Sequence, residues 1–149
     1  MLGRSRGGLW VSSWACDHPE RFAGLAGIYP VFDFRTYPGV DKTAKAYGLT
    51  VEQLERRIDE LNPIARASTI AKAKLPVFII HGDQDKVVPL AANSAALAEL
   101  YQKAGATSAM ELKVVQGQGH NVWEGFFRCQ ELVDFAIRHA RGEAQAPSR

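Results

Sequence analysis

Leu75-Pro76-Val77-Phe78-Ile79-Ile80 is a near-continuous apolar run, followed at once by His81-Gly82-Asp83-Gln84-Asp85. So short a run, without polar alternation, predicts a strand buried on both faces, as in a parallel sheet covered by helices. Pro76 suits its start, where a missing N–H donor does least harm. Working outward, Leu25-Ala26-Gly27-Ile28-Tyr29 is a second apolar run, and Met110 to Val115 a third. Alanine-rich Leu90 to Ala104, ended by Gly105, predicts a helix between the last two strands. Arg6 to His18 predicts another, opening with Gly7-Gly8 and followed by Pro19; its apolar residues cover more than one stripe, so several sides should be buried. Thr50 with Gln53 forms a possible capping box for a helix to Leu61, which Asn62-Pro63 stops. Trp123 to Ala140 predicts a final amphipathic helix, and 142–149 a disordered tail. Asp33 to Gly48 reads as irregular and polar, with Pro38-Gly39 as a turn. Strands alternating with helices predict an α/β fold, a parallel sheet wound by right-handed crossovers.

Ligands of such sheets sit at the carboxyl ends of the strands. Three groups with chemistry reach that edge. The first is Ser5 in Gly3-Arg4-Ser5-Arg6-Gly7, a G-x-S-x-G pattern that suggests a nucleophile on a sharp strand-to-helix turn, with glycines removing side chains that would clash. Almost no strand precedes it. The second is the acid of the Asp83/Asp85 loop, and the third is His120 in the loop Gly117-Gln118-Gly119-His120. A serine hydroxyl needs a base to take its proton, and a carboxylate to fix the tautomer of that base and stabilise its cation. Asp85 is the favoured acid, anchored by Val87-Val88-Pro89, with Asp83 left as a turn or loop-bonding residue. His81 ends an apolar strand and reads as a buried, hydrogen-bonded histidine. The N–H of Arg6, directly after the serine, is the expected first oxyanion donor; a second should come from a loop after an earlier strand, which would precede Ser5.

The bulk properties bound these readings. The chain has 149 residues, 46% apolar and 23% charged, enough for one domain. A formal charge of +2 implies neither nucleic acid nor an anionic membrane. No apolar run reaches the roughly 18 residues that span a bilayer. No signal peptide is evident, which points to the cytoplasm as the chain stands, or to secretion if an N-terminal signal has been lost. Cys16 and Cys129 read as two small buried or half-buried thiols. No His/Cys/carboxylate group has metal-ligand spacing, so neither metal nor cofactor is expected. Arg4 and Arg6 oppose the dipole of the helix they introduce. They suit an anionic substrate, with Arg4 as candidate contact, or else pair with Asp33, Asp83 or acidic residues of a missing segment.

At Leu2-Gly3-Arg4-Ser5-Arg6-Gly7-Gly8, Leu75 through Pro89 and Gly117-Gln118-Gly119-His120 the chain resembles the α/β-hydrolase superfamily, in its esterase and prolyl-oligopeptidase-like branch. The resemblance covers nearly the whole chain but only the C-terminal half of that fold. It implies Ser5, Asp85 and His120 as catalytic residues, a domain over 1–141, and a lid or cap insertion at about 33–73. It also implies a missing N-terminal half of about four strands. The expected function is carboxylic ester hydrolysis through an acyl-enzyme, with a small-molecule acyl ester or a peptide as substrate and little activity for the chain alone. The alternatives are a serine peptidase of the prolyl-oligopeptidase type and a non-catalytic remnant.

Overall fold

The computed structural model describes residues 1–142. The tail expected at 142–149 lies, beyond Gly142, outside the described residues. Four strands form one sheet in the order β1-β2-β3-β4, all parallel: β1 (Leu2–Arg4), β2 (Leu25–Ile28), β3 (Val77–Gly82) and β4 (Met110–Val115). The register pairs Gly3 with Gly27, Gly27 with Ile79 and Ile79 with Leu112. A three-residue strand therefore does precede Ser5.

Both faces of the central strands β2 and β3 are covered, and the alternation along each strand decides which side chain goes where. Leu25, Val77 and Ile79 pack with Val11, Ala15, Ile70, Leu97 and Tyr101. These come from α1 (Gly7–Asp17) and from two elements between β2 and β4 described next. Ala26, Ile28, Phe78 and Ile80 pack with Phe126, Leu132 and Phe135 on the other face. Each fully buried side chain of this size contributes roughly 1.5–3 kcal/mol.

The long connection from β2 to β3 is more helical than the sequence suggests. It holds α2 (Val40–Tyr47), α3 (Val51–Glu55), α4 (Ile58–Leu61), α5 (Pro63–Arg66) and α6 (Ser68–Lys72). The stretch expected to be irregular up to Gly48 thus contains a two-turn helix. Glycines set both its ends: Gly39 precedes it at φ +94° and Gly48 closes it at φ +66°. The Thr50–Gln53 capping box is present in both directions. The helix it starts does not run unbroken to Leu61, because Arg57 leaves helical geometry at φ −115° and splits it into α3 and α4.

After β3, a π-helical turn at Ala91–Ala95 leads into α7 (Ala96–Lys103). After β4 the expected single helix is two, α8 (Glu124–Phe127) and α9 (Gln130–Ala140), separated at Arg128 and Cys129. Strand β3 begins two residues later than the apolar run and continues through His81, as expected, to Gly82. Among the described residues no helix is long and apolar enough to cross a membrane.

Candidate active site

Ser5 occupies the turn between β1 and α1 with φ +49°, a left-handed conformation uncommon outside glycine. Three backbone bonds hold it there. Its N–H donates to the Ile28 carbonyl at 3.1 Å, and its own carbonyl accepts from Gly8 and Val31, both at 2.9 Å. The glycines around it differ in role. A Cβ on Gly8 would lie 2.7 Å from Pro30 Cβ and from Val31 N, and one on Gly3 would lie 3.0 Å from Gly8 Cα. Gly7, within the motif, meets nothing within 4 Å. Close approach of α1 to β1 demands Gly3, its approach to the Pro30-Val31 segment demands Gly8, and Gly7 is left unexplained by packing.

The three groups expected at the carboxyl edge are together. Ser5 Oγ lies 2.8 Å from His120 Nε2, and His120 Nδ1 lies 2.7 Å from Asp85 Oδ2. Asp85 is buried, and its Oδ1 accepts the N–H groups of Val87 at 2.9 Å and Val88 at 2.7 Å. A carboxylate so placed only accepts, so the His120 proton sits on Nδ1. Nε2 is then left with a lone pair toward the Ser5 hydroxyl, the state in which it can take a proton.

Asp83 is the loop-bonding residue: its carboxylate accepts from Gly117 N–H at 2.7 Å, while Gln84 N–H donates to the Gln118 carbonyl at 2.9 Å. These bonds join the loop carrying Asp85 to the loop carrying His120. Gly82 sits where they meet, and a Cβ there would lie 2.2 Å from Gln118 O. His81 is buried, and burial pushes its pKa down, so it is neutral near pH 7. The Val88 carbonyl, 2.9 Å from Nε2, can only accept; Nε2 therefore carries the proton, and Nδ1 accepts from Ser94 Oγ at 2.7 Å. His81 thus braces the backbone beside Asp85 and does not reach Ser5. Burial raises the pKa of both Cys16 and Cys129, keeping them as thiols.

Neither Arg4 nor Arg6 pairs with Asp33 or Asp83. Asp33 is engaged by Arg35 and Asn62, and Asp83 by Gly117 and Gln84. The Arg4 guanidinium instead lies over the Phe127 ring, 5.7 Å from its centroid. The Arg6 side chain lines a groove of about 710 Å³ between α1 and α2, with Leu9, Trp10, Trp14, Lys42 and Tyr47. Among the described residues, no group accepts a hydrogen bond from the Arg6 N–H.

Sequence reasoning missed two asparagines and a tyrosine. Buried Asn93 accepts the N–H groups of Phe32 and Asp33 on one oxygen, at 2.8 and 2.9 Å, and donates to the Pro89 carbonyl at 3.0 Å. Asn62 accepts from Phe34 N–H and donates to Asp33. Tyr29 packs against His120. A single residue within or between helices gives no pattern by which such roles could be found.

A parallel sheet with helices on both faces, and a serine, a histidine and a carboxylate meeting at its carboxyl edge, define part of an α/β-hydrolase. The model of the prolyl oligopeptidase family (peptidase S9) matches residues 1–141, and the chain belongs to that family. The fold is similar to that of a Mycobacterium tuberculosis puromycin-hydrolysing peptidase, with TM-score 0.67, 19% identity, and coverage of 91% of this chain but 22% of that one. It is similar to a Pyrococcus horikoshii acylaminoacyl peptidase, with TM-score 0.66, 16% identity, and coverage of 99% and 25%. A Paleococcus ferrophilus monoacylglycerol lipase gives TM-score 0.58 and 18% identity, with coverage of 93% and 67%. The chain thus spans about a quarter or less of the length of these two peptidases. No curated protein sequence matches it.

Proposed function

We propose that this chain carries the catalytic residues of a serine hydrolase that cleaves acyl bonds of peptides through an acyl-enzyme. The observation that carries the reading is the unbroken relay Ser5 Oγ to His120 Nε2 at 2.8 Å and His120 Nδ1 to Asp85 Oδ2 at 2.7 Å. Ser5 Oγ attacks the acyl carbon as His120 Nε2 takes its proton, and a C–O bond forms. The carbonyl oxygen becomes an oxyanion facing the uncommitted Arg6 N–H. As the tetrahedral intermediate collapses, the C–N bond breaks and His120 returns the proton to the departing amine. Water then repeats the sequence on the acyl-enzyme. Asp85 fixes the tautomer and stabilises the imidazolium. Family membership puts the peptidase reading ahead of the carboxylic ester reading; the shared fold of a monoacylglycerol lipase keeps esters as second choice.

The sheet edge at β1 is open, with Leu2 50% exposed, and Trp10 on the adjoining α1 is 74% exposed. Parallel sheets are ordinarily covered, and an open apolar edge invites association. With the small share of the peptidases spanned, this supports a further, N-terminal half of the hydrolase sheet that covers β1 and Trp10 and supplies the second oxyanion donor. Loss of one such donor costs about 2.7–4 kcal/mol in the barrier. The 33–73 excursion, which walls the groove beside Arg6, fits a lid. A fluorophosphonate probe tests the reading: Ser5 is the labelled residue, and Ser5→Ala and His120→Ala abolish labelling. A folded chain that takes no label is a non-catalytic remnant. Rapid turnover of a short acyl ester by the chain alone, lost in Ser5→Ala, refutes the need for a further half.

A further inference from the structure

Tyr29 is the first residue after β2, and its backbone holds φ +36°. For a bulky aromatic residue that value is an outlier, and such strain persists only where its surroundings over-determine it. Here they do. Its N–H donates to the Ile80 carbonyl at 2.9 Å, and the side chain is buried, with only 3% of the residue exposed. The ring lies 4.4 Å from the His120 imidazole, centroid to centroid, at 55°. Phe126 meets it edge-on at 5.0 Å, and Trp123 meets Phe126 edge-on at 5.4 Å.

We propose that Tyr29 is a positioning residue for His120, an aromatic wall that confines the imidazole to the plane in which it bridges Ser5 and Asp85. This deepens the hydrolase reading and rests on it. His120 stands on a loop with glycines at 117 and 119, and each ring nitrogen makes one hydrogen bond. Two bonds at opposite corners leave the ring free to tilt about the line that joins them. A tilted aromatic ring packed against one side at 4.4 Å removes that freedom. The strained backbone at Tyr29 is the means of bringing a large ring to the carboxyl edge. An extended residue would continue the strand and place its side chain on a sheet face.

The test compares the chain with Tyr29→Phe and Tyr29→Leu, using the low-field proton resonance of His120 Nδ1–H, the rate of fluorophosphonate labelling at Ser5, and circular dichroism for fold. Phe should keep the resonance and label within about twofold of the parent, while Leu should lose the resonance to solvent exchange and label at least about tenfold more slowly. A folded Leu variant that keeps both overturns the proposal. So does loss of both in Phe, which would assign the effect to the hydroxyl, or slowed labelling in Leu with the resonance intact. Should Leu fail to fold, the parent decides: absence of nuclear Overhauser contacts between the rings of Tyr29 and His120 overturns the proposal. A parent that shows the resonance but takes no label counts against the hydrolase reading alone, and the resonance comparison still decides Tyr29.

Discussion

Asp85→Asn is the sharpest test of the relay, because the structure leaves the new amide one orientation. Asp85 Oδ1 accepts two N–H groups, from Val87 and Val88 at 2.9 and 2.7 Å. Those groups can only donate, so the asparagine oxygen must stay there and its NH₂ must take the place of Oδ2. That NH₂ then faces His120 Nδ1 at about 2.7 Å, with His81 Nε2 3.4 Å from the same position. It donates to His120, so the imidazole must carry its own proton on Nε2, where it points at Ser5 Oγ. The base then has no lone pair to offer. General-base help is typically worth about 10²–10⁴-fold in rate. At 1.36 kcal/mol per decade the barrier should rise by roughly 2.7–5.4 kcal/mol. Shape and both loop bonds are retained, so thermal stability should change little. The assay is the second-order rate of fluorophosphonate labelling at Ser5, with circular dichroism melts on the same samples. A folded Asp85→Asn protein that labels within about threefold of the parent refutes the tautomer argument, since that is far inside the expected loss.

Two further outcomes are expected. In Gly82→Ala the new Cβ would lie 2.2 Å from Gln118 O, so the His120 loop must retreat by roughly 1 Å to reach ordinary contact; labelling at Ser5 should fall by on the order of 10²-fold, and unchanged labelling would show that the loop yields without moving the imidazole. Burial works against the charge of Asp33, yet the bonds from Arg35 and Asn62 outweigh it and hold the carboxyl below its ordinary range. A lowered folded pKa contributes stability that is complete above the unfolded value of about 3.9 and lost as pH falls through the folded one. Urea midpoints should therefore drop more steeply below about pH 4 in the parent than in Asp33→Asn, and parallel slopes would remove the assignment.

The site was legible in the sequence where chain geometry announces itself. Ser5, Asp85 and His120 each stand in a loop that follows a strand, so topology alone delivers them to one edge. The parallel sheet was legible because Val77–Ile80 is buried on both faces and cannot alternate. Helix α2 was not, although Val40, Ala44 and Tyr47 recur at helical spacing, because the segment is short and its limits lie in the positive φ of Gly39 and Gly48. The break between α8 and α9 was hidden because Arg128 and Cys129 carry no breaker signal. Tyr29 was illegible for the opposite reason to Ser5: a left-handed backbone is expected of glycine, and nothing in a tyrosine announces one. The fate of Arg4 was equally hidden, since its contact with Phe127 joins residues far apart along the chain.

Asn93 and Asn62 tie the point where the long β2–β3 excursion departs, at Phe32 to Phe34, to the point where its helices turn back, at Asn62, and to the acid loop at Pro89. Ile64 N–H closes the same knot on the Phe32 carbonyl at 2.9 Å. The excursion thus leaves and returns through one hydrogen-bonded knot that also holds the acid loop. Exchanges at exposed positions of α2 and α3, such as Lys42 and Glu52, leave both that knot and the buried Ala44 and Leu54 in place. In the proposed hydrolase, substrate preference can therefore drift in the roof while the proton relay below it is inherited unchanged.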